Sequence, residues 1–255
     1  MRHVLHILSI LMFSCTLEQE VSVSRPNILL IVADDLGYTD LGCYGGDIET
    51  PVIDRLAGEG ILFTRFHASP YCAVTRAMLL SGNDNHIAGM GVQGLRTNNW
   101  GYEGKLTDRV VPIQELLLEN GYHTYMVGKW HLGNTLRDHP AEKGFERSFC
   151  VRREGAANHY SAQGVLNGEL TNEYLDNGKI TNWPEGAYST DFYTDKLIEF
   201  IEKDVDSNKP FFAYAAYTSP HWPLQVDERY WRKYTGRYDE GYEALRSKRL
   251  ETSKK

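Results

Sequence analysis

The chain has 255 residues, 42% of them hydrophobic and 24% charged, which suffices for one large α/β domain or two small ones. Its formal net charge is −7, and no basic run is dense enough to neutralise many phosphates, which argues against a nucleic-acid binder. An acidic chain that handles an anion needs a local positive pocket against its overall sign.

The chain starts MRHVLHILSILMFSCTLEQE, with Arg2 and His3 before an apolar run from Val4 to Phe13. The run is shorter than the roughly 20 apolar residues that span a bilayer. It reads as a secretory signal peptide with a short linker over residues 1–24, and so as an exported, periplasmic or lysosomal-lumen protein. A buried strand or helix fits the same pattern, and Cys15 behind it offers a lipid anchor as an alternative. If Cys15 leaves with the signal, Cys43, Cys72 and Cys150 remain. An odd count in an exported chain gives one thiol its own role. Cys43 and Cys150 either pair or stay free, and no Cys-x-x-Cys spacing suggests zinc.

NILLIVADD, from Asn27 to Asp35, reads as a strand buried on both faces, as in a parallel sheet. Thr50-Pro51 opens a helix through Leu56 that closes near Gly58 and Gly60. Ile61 to Phe66 is a second strand candidate, and Thr75 to Leu80 starts a helix. Residues 83–109, rich in Gly, Asn and charge, read as a long loop. Pro112 opens a helix with Ile113, Leu116 and Leu117 on one face, and Tyr122 to Val127 follows as a strand. Residues 140–186 read mostly as loop. Tyr193, Leu197, Phe200 and Ile201 form a helical stripe, Phe211 to Tyr217 forms another strand, and the charged tail from Asp227 is helical in part. The alternation predicts a mostly parallel, mixed sheet flanked by helices, with ligands beyond the carboxyl ends of the strands.

Four clusters carry chemistry, and each follows a strand candidate. Asp34 and Asp35 end the first strand, either as oxygen ligands for calcium or magnesium or as a capped, solvated turn. Lys129 and His131 are two residues apart and face the same way in extended geometry, able to grip an anion and move a proton. In SPHWP, Pro220 and Pro223 mount His221 rigidly. Cys72 lies just before a helix start, where free N–H groups favour an anion, and Arg76 stands one turn along, placed to reach back. A buried structural thiol, a satisfied histidine and a surface arginine are the plain alternatives.

Taken together, RPNILLIVADDLGYTDLGCYGG, TPVIDRLAGEGILFTRFHASPYCAVTRAMLLSG, GYHTYMVGKWHLG, GFERSF with GAANHY, and PFFAYAAYTSPHWPLQ resemble the type I sulfatases of the alkaline phosphatase-like superfamily, bacterial-type arylsulfatases in particular. The resemblance runs from about Arg25 to about Leu245 and implies a sulfuric ester hydrolase. It implies that a formylglycine-generating enzyme converts Cys72 to formylglycine, whose hydrate attacks sulfur. It further implies calcium, with magnesium as an alternative, on Asp34, Asp35 and residue 72. Arg76 would hold the diol, Lys129 would bridge diol and sulfate, His131 would deprotonate the diol, and His221 would bind sulfate near the leaving oxygen. The substrate is a small-molecule or glycan sulfate ester, with loops 83–109 and 140–186 at the mouth.

Two departures stand against the family pattern. Val74 occupies the place where the modification signal has Pro or Ala. No later strand supplies an Asp-Asn pair and lysine, since Asp84-Asn85 and Asp176-Asn177 precede SPHWP. Residues 25–255 therefore read as the N-terminal part of a sulfatase domain. A phosphate or phosphonate ester hydrolase of the same superfamily and a non-catalytic anion binder are the competing expectations.

Overall fold

The computed structural model describes residues 25–152, 157–165, 172–252 and 254. The expected signal segment, residues 1–24, lies outside the described residues, as do Gly155 and Ala156 of GAANHY. Among the described residues, no helix is long and apolar enough to cross a membrane.

Among the described residues, six strands form one mixed sheet in the order β1-β6-β2-β3-β4-β5. β1 (Ile28–Asp34), β6 (Phe211–Pro220), β2 (His123–Lys129) and β3 (Arg147–Val151) run parallel, while β4 (Tyr174–Asp176) and β5 (Lys179–Thr181) add antiparallel pairs at one edge. β6 is the latest strand in the chain yet lies between β1 and β2, which brings the carboxyl ends of three distant segments side by side.

Period-two alternation sorts the central strands onto two cores. Helix α1 is Pro51–Glu59, and Met126, Tyr214 and Ala216 face Ala73, Ala77 and Leu80 of helix α2 (Cys72–Ser81). Tyr125, Val127, Ala213 and Ala215 face the other way and pack on Tyr193, Leu197 and Phe200. Those three belong to a later helix, Ser189–Glu202, whose stripe the sequence spacing announces. Phe200 is almost fully buried, so Phe200→Ala costs about 3–5 kcal/mol by loss of transfer energy and the cavity left behind. At Gly128 the backbone has φ 95°, and a Cβ there would lie 2.0 Å from the Ala216 carbonyl oxygen. The glycine thus lets β2 and β6 approach at the end that carries the site.

Several sequence expectations are corrected. Ile61 to Phe66 forms no strand: Ile61, Phe63 and Phe66 are exposed, and the segment finds no ladder partner among the described residues. β1 is not buried on both faces, because among the described residues it pairs only with β6, and its Leu29 and Ile31 stay open to solvent. Residues 140–186 hold β3, β4 and β5 rather than loop alone. In the helix Ile113–Glu119, Leu117 packs on the core but Ile113 and Leu116 remain partly exposed. The buried position there is Gln114, whose Nε2 donates to the Lys143 carbonyl at 2.9 Å. Cys43, Cys72 and Cys150 are all free; Cys150 lies wholly within the core.

Candidate active site

Cys72 is the first residue of α2 and is half-buried, rather than standing just before the helix. No side chain of the preceding Tyr71 caps the helix. Gln93, from the long loop after α2, does so instead. Its Oε1 accepts from the Ala73 backbone N–H at 3.3 Å and from the Cys72 thiol at 3.2 Å. This positively polarised helix start is where negative charge is favoured.

β2 delivers the cation. Lys129 is fully buried; its Nζ lies 3.1 Å from Cys72 Sγ and 2.5 Å from Asp34 Oδ2. The chain then turns at His131, φ 58°, so the lysine and histidine do not share regular extended geometry. Both nevertheless arrive at Cys72, because His131 Nδ1 lies 3.4 Å from the same Sγ. Burial, reinforced by the neighbouring Lys129 and Arg76 cations, pushes the His131 pKa down to about 3, so the imidazole is neutral near pH 7.

Arg76 does not reach back to Cys72. Its guanidinium turns inward, donating to the Lys129 carbonyl at 2.9 Å, the Tyr214 hydroxyl at 3.2 Å and Asp34 Oδ1 at 3.3 Å. Its Nε–H is buried without a partner among the described residues. Asp34 is therefore gripped on both oxygens by buried cations, and it ties the carboxyl ends of β1 and β2 to the middle of α2.

Asp35 follows in left-handed backbone, φ 63°, and its carboxylate is half-exposed. It faces His221, whose Nε2 lies 3.4 Å from Asp35 Oδ2 and whose Nδ1 donates to the Trp222 carbonyl at 2.7 Å. His221 follows β6 in a loop with cis bonds before Pro220 and Pro223. A further histidine, His159, holds that loop from behind. Its Nε2–H donates to the His221 carbonyl at 3.1 Å, and its Nδ1 accepts from the Ser189 hydroxyl at 2.8 Å. Gln225 Oε1 accepts from the His159 backbone N–H at 2.9 Å.

Gln93, Tyr214 and His159 escaped the reading of the sequence. Gln93 lies in a Gly-rich loop with no periodicity, and Tyr214 reads as an ordinary strand residue. His159 had a signal in GAANHY, but no local rule gave it a role.

Carboxylates are the right donor type for a hard cation, yet such ions as calcium take six to eight oxygens. Asp34 and Asp35 are two carboxylates in different settings, and among the described residues no cluster of three or more acidic, His or Cys side chains forms a metal site. The described residues alone do not complete a cation shell.

A protein-family model described as Sulfatase matches residues 26–254, nearly the whole chain. The chain belongs to the sulfatase family. It is 41% identical to an uncharacterised sulfatase of Schizosaccharomyces pombe, over 92% of this chain and 45% of that protein. It is 35% identical to an arylsulfatase of Klebsiella aerogenes, over 89% of this chain and 49% of the relative. The crystal structure of Ps i-CgsB in complex with k-i-k-neocarrahexaose superimposes with a TM-score of 0.68 at 35% identity, over 80% of this chain and 47% of that one. This sulfatase chain thus spans about half the length of the curated relatives it matches, and its mixed sheet flanked by helices is the sulfatase variant of the alkaline phosphatase-like fold.

Proposed function

We propose that this sulfatase chain serves the hydrolysis of sulfate monoesters, with residue 72 as the nucleophile once a formylglycine-generating enzyme has converted Cys72. The observation that carries the reading is the convergence of Lys129 Nζ, at 3.1 Å, and His131 Nδ1, at 3.4 Å, on Cys72 Sγ at the start of a helix. Structural thiols do not need two such partners.

Formylglycine, as its hydrate, supplies one hydroxyl that attacks sulfur with release of the alcohol or phenol, and a second whose proton loss expels sulfate and restores the aldehyde. The chain's own residues do the rest. Asp34 and Arg76 fix Lys129, from the carboxylate side and through its carbonyl respectively, so that the ammonium is already in place where negative charge develops. Neutral His131 presents Nδ1 to residue 72 and is able to take the proton. Arg76 acts as a positioning residue, since its donors are spent on Asp34, Tyr214 and the Lys129 backbone. His221, on its rigid loop, is assigned to the sulfate oxygen on the leaving-group side. Calcium, which the family resemblance implies on Asp34 and Asp35, would add charge stabilisation for the sulfate oxygens. Its shell is incomplete among the described residues.

The glycan complex of Ps i-CgsB supports a carbohydrate sulfate as substrate, beside small aryl sulfates. An N-terminal export signal at residues 1–24 would place the protein in the secretory route, the periplasm or a lysosomal lumen, where maturation and substrate meet.

The test is expression with a formylglycine-generating enzyme, mass spectrometry of the peptide holding Cys72, and turnover of an aryl sulfate beside the matching aryl phosphate. The expected results are an aldehyde at residue 72 and a preference for sulfate that Cys72→Ala abolishes. Preferred turnover of the phosphate points to the phosphate-ester alternative, and an intact thiol with tight sulfate binding points to an anion binder.

A further inference from the structure

Next to the candidate site, the loop after His131 and the loop after Gln93 enclose an open hollow of about 600 Å³. Its charged lining is Arg96, Lys105, Arg137 and Arg152 against the single carboxylate of Asp138, on a chain whose net charge is −7. Lys105 is paired with Asp138 at 3.6 Å, and Arg152 pairs with Glu173 and donates to the Asn134 carbonyl. Arg96 and Arg137 are exposed and have no ion-pair partner among the described residues. Leu136, next to Arg137 in the chain, adds an exposed apolar surface to the lining.

Exposed arginines are ordinarily solvated and mean little alone. Here three observations set them apart. First, both loops start at Cys72: Gln93 bonds its thiol and precedes Arg96 by three residues, and His131 touches its sulfur and precedes Asn134 by three. Three residues span at most about 11 Å, so the hollow adjoins the reacting centre. Second, the loops are braced before any ligand arrives. The Trp130 indole N–H donates to the Asp138 carbonyl at 2.6 Å, the Thr135 hydroxyl donates to buried Asp138 Oδ2 at 2.6 Å, and the Thr97 backbone N–H donates to the Tyr102 carbonyl at 2.8 Å. Third, the lining carries a surplus of positive charge on an acidic protein, which a neutral substrate would not require.

We infer that this hollow is a second anion subsite, which receives a sulfate or carboxylate on the neighbouring sugar of a polyanionic glycan whose ester lies at residue 72. This rests on the proposed sulfate-ester reading. Arg96 and Arg137 supply planar donor forks suited to tetrahedral sulfate or planar carboxylate oxygens. Leu136 supplies a surface for the C–H face of the sugar. The long-range field of the acidic protein repels a polyanion, so discrimination for it has to come from such local cations.

The test uses the full chain carrying Cys72→Ala, so that binding is read without turnover. Titration calorimetry compares a disulfated disaccharide, a disaccharide with one sulfate and one carboxylate, and a monosulfated disaccharide. Arg96→Gln/Arg137→Gln is compared with Arg232→Gln/Arg246→Gln, which removes equal charge from exposed arginines in the C-terminal region. The expected result is at least tenfold weaker binding of one or both dianionic probes to the first double variant alone, with monosulfate binding unchanged; whichever dianion responds identifies the second group. Equal weakening by the control double variant, dianionic binding no tighter than monosulfate, or no binding of any probe to chain shown folded by circular dichroism overturns the inference. Arg96- and Arg137-dependent binding in a matured chain that fails to hydrolyse any sulfate ester would leave the hollow standing and remove the catalytic reading instead.

Discussion

The carboxylate of Asp34 lies 2.5 Å from the ammonium of Lys129, and both side chains are sealed from solvent at 3% and 0% exposure. A buried pair of this kind is costly to break from one side, because the remaining charge stays in a medium that solvates it poorly. Lys129→Met or Asp34→Asn is expected to cost about 3–5 kcal/mol, and the double variant clearly less than the sum. Urea unfolding of the four proteins in the cycle measures this; strictly additive losses would refute the coupling.

Cys150 is fully buried, and burial pushes its thiol up to about 12, whereas Cys43 and Cys72 are half-buried. Iodoacetamide applied to native, unmodified chain at pH 8 should label Cys43 and Cys72 and spare Cys150 until denaturant is added. Peptide mass mapping reads the outcome, and early labelling of Cys150 would contradict the packing described.

Burial holds His159 below the ordinary imidazole range. Its folded pKa lies under the unfolded value of about 6.5, so the unfolded chain binds more protons as the solution is acidified. The stabilisation is present above about pH 6.5 and is lost as pH falls through the folded pKa. His159→Gln should keep a donor near the His221 carbonyl and flatten the stability slope below pH 6.5. Thermal unfolding from pH 8 to pH 5 tests this, and an unchanged slope would count against a neutral His159.

Calcium should bind this chain weakly, with a dissociation constant of about 10⁻⁴ M or weaker, because Asp34 is already held by two cations and Asp35 is one half-exposed carboxylate. Calorimetry measures the affinity, and submicromolar binding would show that further oxygen donors converge there.

Much of the sheet was legible because β1 and β6 open as continuous apolar runs and β2 carries Tyr125, Met126 and Val127 just ahead of Gly128. Ile61 to Phe66 has the same local signature but no partner edge, which local pattern cannot reveal. β3 is five residues long and sits in polar surroundings, and β4 and β5 have three residues each, too short for a period to register. At the candidate site, Cys72 stood out as a distinctive group just ahead of a helix signal, and Lys129 and His131 just past a strand signal. The inward turn of Arg76 was not legible, since it depends on Asp34 and Tyr214, which other strands bring to it. Gln93 was hidden for the same reason: what matters is where its loop ends in space.

Gly128 constrains how this molecule can diversify. Any other residue there would need a rarely adopted backbone conformation and would drive a methyl or larger group into the Ala216 carbonyl, prising apart the two segments that hold Lys129 and His221. A side chain at this seam is thus sterically opposed, whereas Arg96 and Arg137 are exposed in their loops. Changes in what the hollow accepts should therefore come through those loops, while the joint stays fixed.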